Sequence, residues 1–276
     1  MPRIRRLVLF LAALACLVLP RAAASAKSPA LTLVLATTTS TQDTGLLDVL
    51  LPAFEKQTRI RVKTIAVGSG EALAMGRRGD ADVLLVHSKA AEDEFMAEGH
   101  GMARFDVMQN DFVLMGPAAD PAHVRGADAV EAFRRIAAAA ASFVSRGDGS
   151  GTHVKELGLW KQAGVEPAGR AWYVSAGQGM GETARIAFEK QAYALIDRGT
   201  WLAMAARLDL PVLCEGGADL LNTYRVIVVD PAKHPQVHVR EARRFAKWLV
   251  SPKIQKRIGD FGRAKYGRSL FVPDAK

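Results

Sequence analysis

From residue 31 onward the chain alternates short apolar runs with stretches whose apolar positions recur at helical spacing. Residues 31–36 (LTLVLA) are apolar apart from Thr32, the pattern of a buried strand. Residues 44–57 carry apolar positions spaced as on a helix face. The same alternation predicts a strand at 61–67, a helix at 71–78, a strand at 82–87 (DVLLVH) and a helix at 90–98. Residues 104–116 read as a long extended stretch, after which Pro117 and Pro121 break the chain. A second set follows: helix 128–141, strand 142–145, helix 152–162 closed by Gly164, strand 171–175, helix 181–190, strand 193–196, a helix around 201–206 and strand 212–215. Residues 223–229 (TYRVIVV) are a second long β run, and helices fill 239–258 before an irregular tail.

Strand–helix alternation at this spacing predicts an α/β fold with two mostly parallel sheets flanked by helices. Two α/β sets joined by two long extended stretches predict two lobes with two hinge crossings. Lobe 1 is 27–115 plus 222–276, and lobe 2 is 116–221. A length of 276 residues suits that arrangement. No fixed-period repeat points to a solenoid.

The first residues do not fit the alternation. Arg3, Arg5 and Arg6 precede an apolar run over 7–20, and Arg21 precedes Ala22-Ala23-Ala24-Ser25-Ala26. A basic start, a short apolar segment and a small-residue cleavage site make a secretory signal peptide at 1–26. The expected location is therefore periplasmic. Cys16 lies inside the apolar run rather than at its end, which disfavours a lipid anchor. The leader also changes the charge picture. The formal net charge of +9 includes four arginines from the leader and no acid. Its loss leaves 33 basic against 28 acidic residues, a balance of +5. A cluster remains near the C-terminus (Arg240, Arg243, Arg244, Lys247, Lys253, Lys256, Arg257) and reads as a solvated helix face. No nucleic-acid partner is expected, nor any oligomer. Cys214 is left as the sole cysteine after cleavage, which excludes a disulfide framework and a four-cysteine zinc site.

Four Gly/Ser/Thr-rich loops follow expected strands and precede expected helices: 37–41 (TTTST), 68–70 (GSG), 145–152 (SRGDGSGT) and 177–181 (GQGMG). In an open α/β sheet this is where ligands bind. A helix N-terminus has unpaired N–H groups and a partial positive charge, so it favours anions. Glycine admits close backbone approach and hydroxyls add donors. Any one loop could be an ordinary cap or turn, but four together point to donors converging on one small anion. The loops lack the P-loop lysine and the G-x-G-x-x-G spacing of nucleotide sites. Arg146 stands among neutral donors and can give an oxyanion two hydrogen bonds, or pair with Asp148.

Enzyme chemistry is poorly served. No metal-ligand spacing and no G-x-S-x-G elbow occur. An exported hydrolase using Ser150 and His153 is the alternative.

The loops at 37–40, 67–73 (VGSGEAL), 79–83 (GDADV), 145–152 and 197–201 (DRGTW) together resemble the tungstate-binding proteins of bacterial ABC importers (the TupA type) over about 31–272. The resemblance implies a two-lobed type II periplasmic binding protein fold. It implies capture of tungstate, with molybdate as competitor, for delivery to an ABC permease and through it to an ATPase. No cofactor is implied. Ligand contacts carry over to Thr38, Thr39, Ser40, Ser69, Gly70, Arg146, Ser150, Gly151 and Thr152, with Gly179 and Met180 beside them. Both oxyanions are fully deprotonated near neutral pH, so each oxygen accepts and none donates. A hydrogen phosphate site would also need an acceptor, which Asp148 or Asp43 could supply.

Overall fold

A computed structural model describes residues 31–205 and 207–275; the leader expected at 1–26, with Cys16, lies outside them. The chain runs β1 (Thr32–Thr38), α1 (Thr39–Asp43), α2 (Leu46–Thr58), β2 (Arg61–Val67), α3 (Ser69–Arg78), β3 (Val83–Val86), α4 (Lys89–Ala97) and then the long β4 (Gly101–Met115). The second set is α5 (Ala129–Ala138), β5 (Phe143–Ser145), α6 (Gly151–Gln162), β6 (Tyr173–Ser175), α7 (Met180–Glu189), β7 (Ala194–Asp197), α8 (Arg198–Met204) and β8 (Val212–Cys214). A 3-10 turn at Ala218–Leu220 opens β9 (Leu221–Val229), followed by α9 (Val239–Leu249), α10 (Pro252–Asp260), α11 (Arg263–Tyr266) and β10 (Val272–Pro273).

Most of these elements sit where the hydrophobic pattern puts them. One difference lies at the TTTST loop. There α1 begins at once, because Thr38 caps it: its backbone is extended and its side chain accepts the Thr41 N–H.

The strand order is β10-β4-β9-β3-β1-β2, with β7 and β8 also on β4, and β5 pairs β6. The ladders β1–β2, β1–β3 and β5–β6 are parallel, as βαβ units require. The two long strands add antiparallel ladders. β9 runs antiparallel to β3 and to β4. β4 pairs β9 as far as Asp111 opposite Leu221, then pairs β7 from Phe112 to Met115. A single strand thus serves both groups of strands.

Alternation along the strands divides the core. Val83 and Leu85 of β3, with Val226 and Val228 of β9, face one cluster under α2, α9 and α10. Leu84 and Val86, with Ile227 and Val229, face another under α3 and α4. The second set repeats the arrangement. Phe112 and Leu114 pack with Phe133, Phe143 and Trp160, whereas Val113 and Met115 pack with Val144, Met180 and Ala184. Strands covered by helices on both faces explain the unbroken apolar runs. Arg198 and Asp82, in two of the family-like segments, serve this frame. The Arg198 guanidinium grips Asp111 on β4 and Glu215, and Asp82 accepts the N–H groups of Val34 and His238, each at 2.7 Å.

Phe143 is fully buried, with ring centroids 5.1 Å from Trp160 and 5.5 Å from Phe133. Phe143→Ala should cost about 3–5 kcal/mol in chemical denaturation. Val49→Ala, at a site 54% exposed, should stay within about 0.5 kcal/mol of the parent.

Candidate functional site

Each candidate loop does stand at a strand end and opens a helix. Gly68 caps α3 without a side-chain hydrogen bond. Ser69 follows it, 2% exposed, and its Oγ has no hydrogen-bond partner within the protein. Gly70 is exposed in the first turn of α3. Beyond β1, Thr38 Oγ1 lies 2.7 Å from Thr41 Oγ1 and 3.2 Å from Ser40 Oγ; all three residues are buried, and Thr39 is half-buried.

After β5 the chain turns sharply through Arg146 and Gly147. Gly147 has φ +63°, and a Cβ there would lie 1.8 Å from Ser175 Oγ, so only glycine fits. Ser150 caps α6, its Oγ accepting the His153 N–H at 3.3 Å. Asp148 braces the turn by accepting the Ser150 N–H at 3.0 Å and pairing with Arg146 Nη2 at 2.9 Å. The salt bridge expected as the alternative role of Arg146 therefore exists, yet it uses only part of the group. Arg146 is 5% exposed, and its Nε has no partner. Behind the turn, buried Glu156 accepts from Tyr173 Oη at 2.7 Å and Trp160 Nε1 at 3.1 Å, and burial pushes its carboxyl above the usual range.

The two strand groups meet here. A Cβ on Gly68 would be 4.0 Å from Ser150 Cα. A Cβ on Gly151 would be 2.9 Å from His87 Cε1 and 3.5 Å from Ser69 Oγ. The α6 N-terminus, with Thr152 buried behind it, thus faces Ser69 and the Thr38–Ser40 turn. The fourth loop stands apart. Gly179 is exposed at the start of α7, and the Met180 side chain is buried in the Val113–Met115 cluster. Of these two residues only backbone groups remain available to a ligand.

The structure adds residues that the sequence reasoning passed over. His87, at the end of β3, is 9% exposed, with Nε2 3.1 Å from Thr38 Oγ1 and 3.3 Å from Ser40 Oγ. Its Nδ1 lies 2.9 Å from Asn222 Oδ1, and Asn222 Nδ2 donates to Asn110 Oδ1 at 2.8 Å. Burial pushes the His87 pKa down to about 4, with the Arg146 charge acting in the same direction and the Asn222 hydrogen bond opposing it. His87 ends a strand just before a helix, as the four loops do; that position was the available signal.

The serine–histidine alternative has the wrong geometry. His153 Nδ1 accepts the Gly149 N–H at 3.0 Å, and Ser150 Oγ meets the His153 backbone rather than its ring. Cys214 is buried, its Sγ donates to Ala127 O at 3.0 Å, and burial pushes its thiol up to about 11, so it is no nucleophile. Among the described residues no cluster of His, Cys, Asp or Glu is placed to hold a metal ion, and no helix is long and apolar enough to cross a membrane.

An α/β frame with helix N-termini converging from two strand groups is the architecture of a solute-binding protein. The chain belongs to the PBP superfamily, whose domain matches residues 23–253. Over 246 residues it is 52% identical to the tungstate-binding protein TupA of Peptoclostridium acidaminophilum, covering 88% of this chain and 86% of the relative. The solved structure of the tungstate-binding protein TupA from Desulfovibrio alaskensis G20 is 49% identical with a TM-score of 0.78, covering 90% of this chain and 100% of that one. The crystal structure of the tungstate ABC transporter from Geobacter sulfurreducens is also 49% identical, with a TM-score of 0.75, covering 83% and 98%.

His87 has a consequence for stability. Its folded pKa lies below the ordinary 6.5, so between about 6.5 and about 4 the unfolded chain binds more protons. Stability should fall by about 3 kcal/mol as pH drops through that window. His87→Gln should remove that part of the slope in denaturation midpoints measured from pH 7 to 4.

Proposed function

We propose that the chain is an exported solute-binding protein that captures tungstate, with molybdate as competitor, and delivers it to an ABC permease and, through it, its ATPase. The observation that carries this reading is a pair of buried, unpartnered donors, Ser69 Oγ and Arg146 Nε, on loops from the two strand groups. A buried polar group without a partner is costly, and a buried charge more so. A tetrahedral dianion lying between those loops would satisfy both. The N-termini of α1, α3 and α6, with Ser40 and Thr152, would supply the remaining donors. Gly179 and Met180 would contribute only through the backbone start of α7.

The donor set favours a fully deprotonated oxyanion. Both oxygens of Asp148 are engaged, by Arg146 and by the Ser150 N–H. Asp43, exposed at the end of α1, is the other acceptor a ligand proton could use. The relatives carry tungstate in their names, which supports the same choice. The pattern at 1–26 supports export to the periplasm without a lipid anchor. The protein acts as a monomer, and no cofactor takes part; it binds its ligand without converting it.

The division expected from the sequence is two lobes, 27–115 plus 222–276 and 116–221, with hinges at 110–116 and 221–226; the apolar clusters favour it except that Phe112–Met115 pack with the second lobe. The anion lies between them, and its binding favours the closed state.

Calorimetry with tungstate, molybdate, sulfate and phosphate, beside an esterase screen, tests the reading. Tight tungstate binding without turnover is expected; absence of binding, or hydrolysis, would sink it. Arg146→Ala should weaken tungstate binding by about 1.5–3 kcal/mol, against about 0.5–1.5 for a single neutral donor, with Arg146→Lys in between. Small-angle scattering should show a smaller radius of gyration when tungstate saturates the protein; an unchanged radius counts against closure.

A further inference from the structure

His87 is the point where three segments far apart in the chain share one side chain. Its ring lies 4.6 Å from the Tyr224 ring, with one nitrogen toward the Thr38–Ser40 turn and the other toward Asn222. Asn110 and Asn222 are register partners on β4 and β9, where the chain passes between its two strand groups. The donors along this chain can be counted. Asn222 Nδ2 donates to Asn110 Oδ1 and, at 3.0 Å, to Tyr224 Oη. In this arrangement Oδ1 of that amide faces the imidazole and His87 Nδ1 carries the proton. A neutral ring then has a bare lone pair on Nε2.

The nearest hydroxyl to that lone pair is Thr38, at 3.1 Å. Thr38 Oγ1 already accepts the Thr41 N–H at 3.2 Å and lies 2.7 Å from Thr41 Oγ1, which has its own proton to give. With that hydroxyl donating, both accepting positions of Thr38 are filled from Thr41. Two acceptors then remain for its own proton, His87 Nε2 at 3.1 Å and Ser40 Oγ at 3.2 Å, and the imidazole nitrogen is both the closer and the stronger base. Ser40, 3.3 Å from the same nitrogen, keeps its proton.

We propose that His87 is a positioning residue whose Nε2 takes up the Thr38 hydroxyl proton, so that Thr38 is spent within the protein and Ser40 is left to donate to the anion. This rests on the oxyanion reading above and revises one part of it, since Thr38 and Ser40 cease to be equivalent. It also bears on specificity. An exposed imidazole lone pair would be the acceptor that hydrogen phosphate needs. Thr38 covers it, and Asp43 is left as the acceptor a ligand proton could use. The reverse arrangement would turn the Asn110 and Asn222 amides together, pairing the Asn110 Nδ2 that now has no partner, and would put the proton on Nε2.

Nitrogen-15 spectra of the histidine-labelled parent protein at neutral pH decide between these states without any substitution. His87 should show a protonated Nδ1 and an unprotonated Nε2; a proton on Nε2, or on both nitrogens, overturns the assignment. Tungstate titrations then test the consequence. Ser40→Ala should weaken binding about three- to tenfold, as the loss of one neutral donor does. His87→Gln, whose amide oxygen can replace the Nε2 acceptor, should stay within about threefold of the parent. His87→Leu should lose about tenfold or more and bind phosphate no better. Parent-like binding by Ser40→Ala, or equal losses in both His87 variants, overturns the proposal. A parent that binds none of the four oxyanions overturns the oxyanion reading itself, whereas a protonated Nε2 in a parent that binds tungstate overturns this assignment alone.

Discussion

The structure is organised around a guanidinium that is buried but only partly paired. Arg146 has one carboxylate partner, Asp148, and an Nε with none. Burying a charge in this way is unfavourable unless further groups share it. Much of the surrounding architecture fits that constraint. Glycine at 147 allows the turn that aims the side chain inward, and Glu156 anchors the helix behind it. The nearby imidazole is held neutral rather than adding a second cation. What remains is a deficit of negative charge enclosed by N–H and O–H groups, which is the electrostatic description of an anion site.

Much of this frame was legible in the chain itself. Strands covered on both faces write themselves as largely apolar runs, so β1, β3 and β9 were readable to within two residues, and the edge strand β2, with Arg61 and Lys63 exposed, kept its expected bounds. The loops at their ends were readable because glycine, serine and threonine gather where a helix must start without a preceding turn. The short α1 was not, because Thr-Ser-Thr-Gln-Asp has little helical propensity and holds its shape through the Thr38 cap. Strand direction was also hidden. A period of two reports which face is buried and says nothing of which way the neighbour runs, so the antiparallel ladders of β4 and β9 had no signature.

The site divides along the same line. Candidates grouped within one loop, such as Arg146, Ser150 and Thr152, stand out by composition. Residues joined only by folding were not. His87 and Asn222 are 135 positions apart, and no spacing rule connects them. The resemblance to a family carried its own ambiguity: Arg198 belongs to a family-like segment yet holds Asp111 on β4. Met180 shows the complementary limit, since a glycine-rich loop can end in a side chain that is needed for the core.

The strand order has a consequence for how the molecule is built. β9 lies between β3 and β4, although it is made more than a hundred residues after them. Until it arrives, β3 and β4 have no common neighbour, and each presents an open edge. The first strand group therefore cannot close on its own during synthesis, and its completion waits for a loop of the whole intervening set to be drawn shut. Folding of this kind, dominated by non-local pairing, is slow. A chain that completes its sheet last stays unfolded longest, which is the condition a polypeptide must meet to be threaded through a narrow channel.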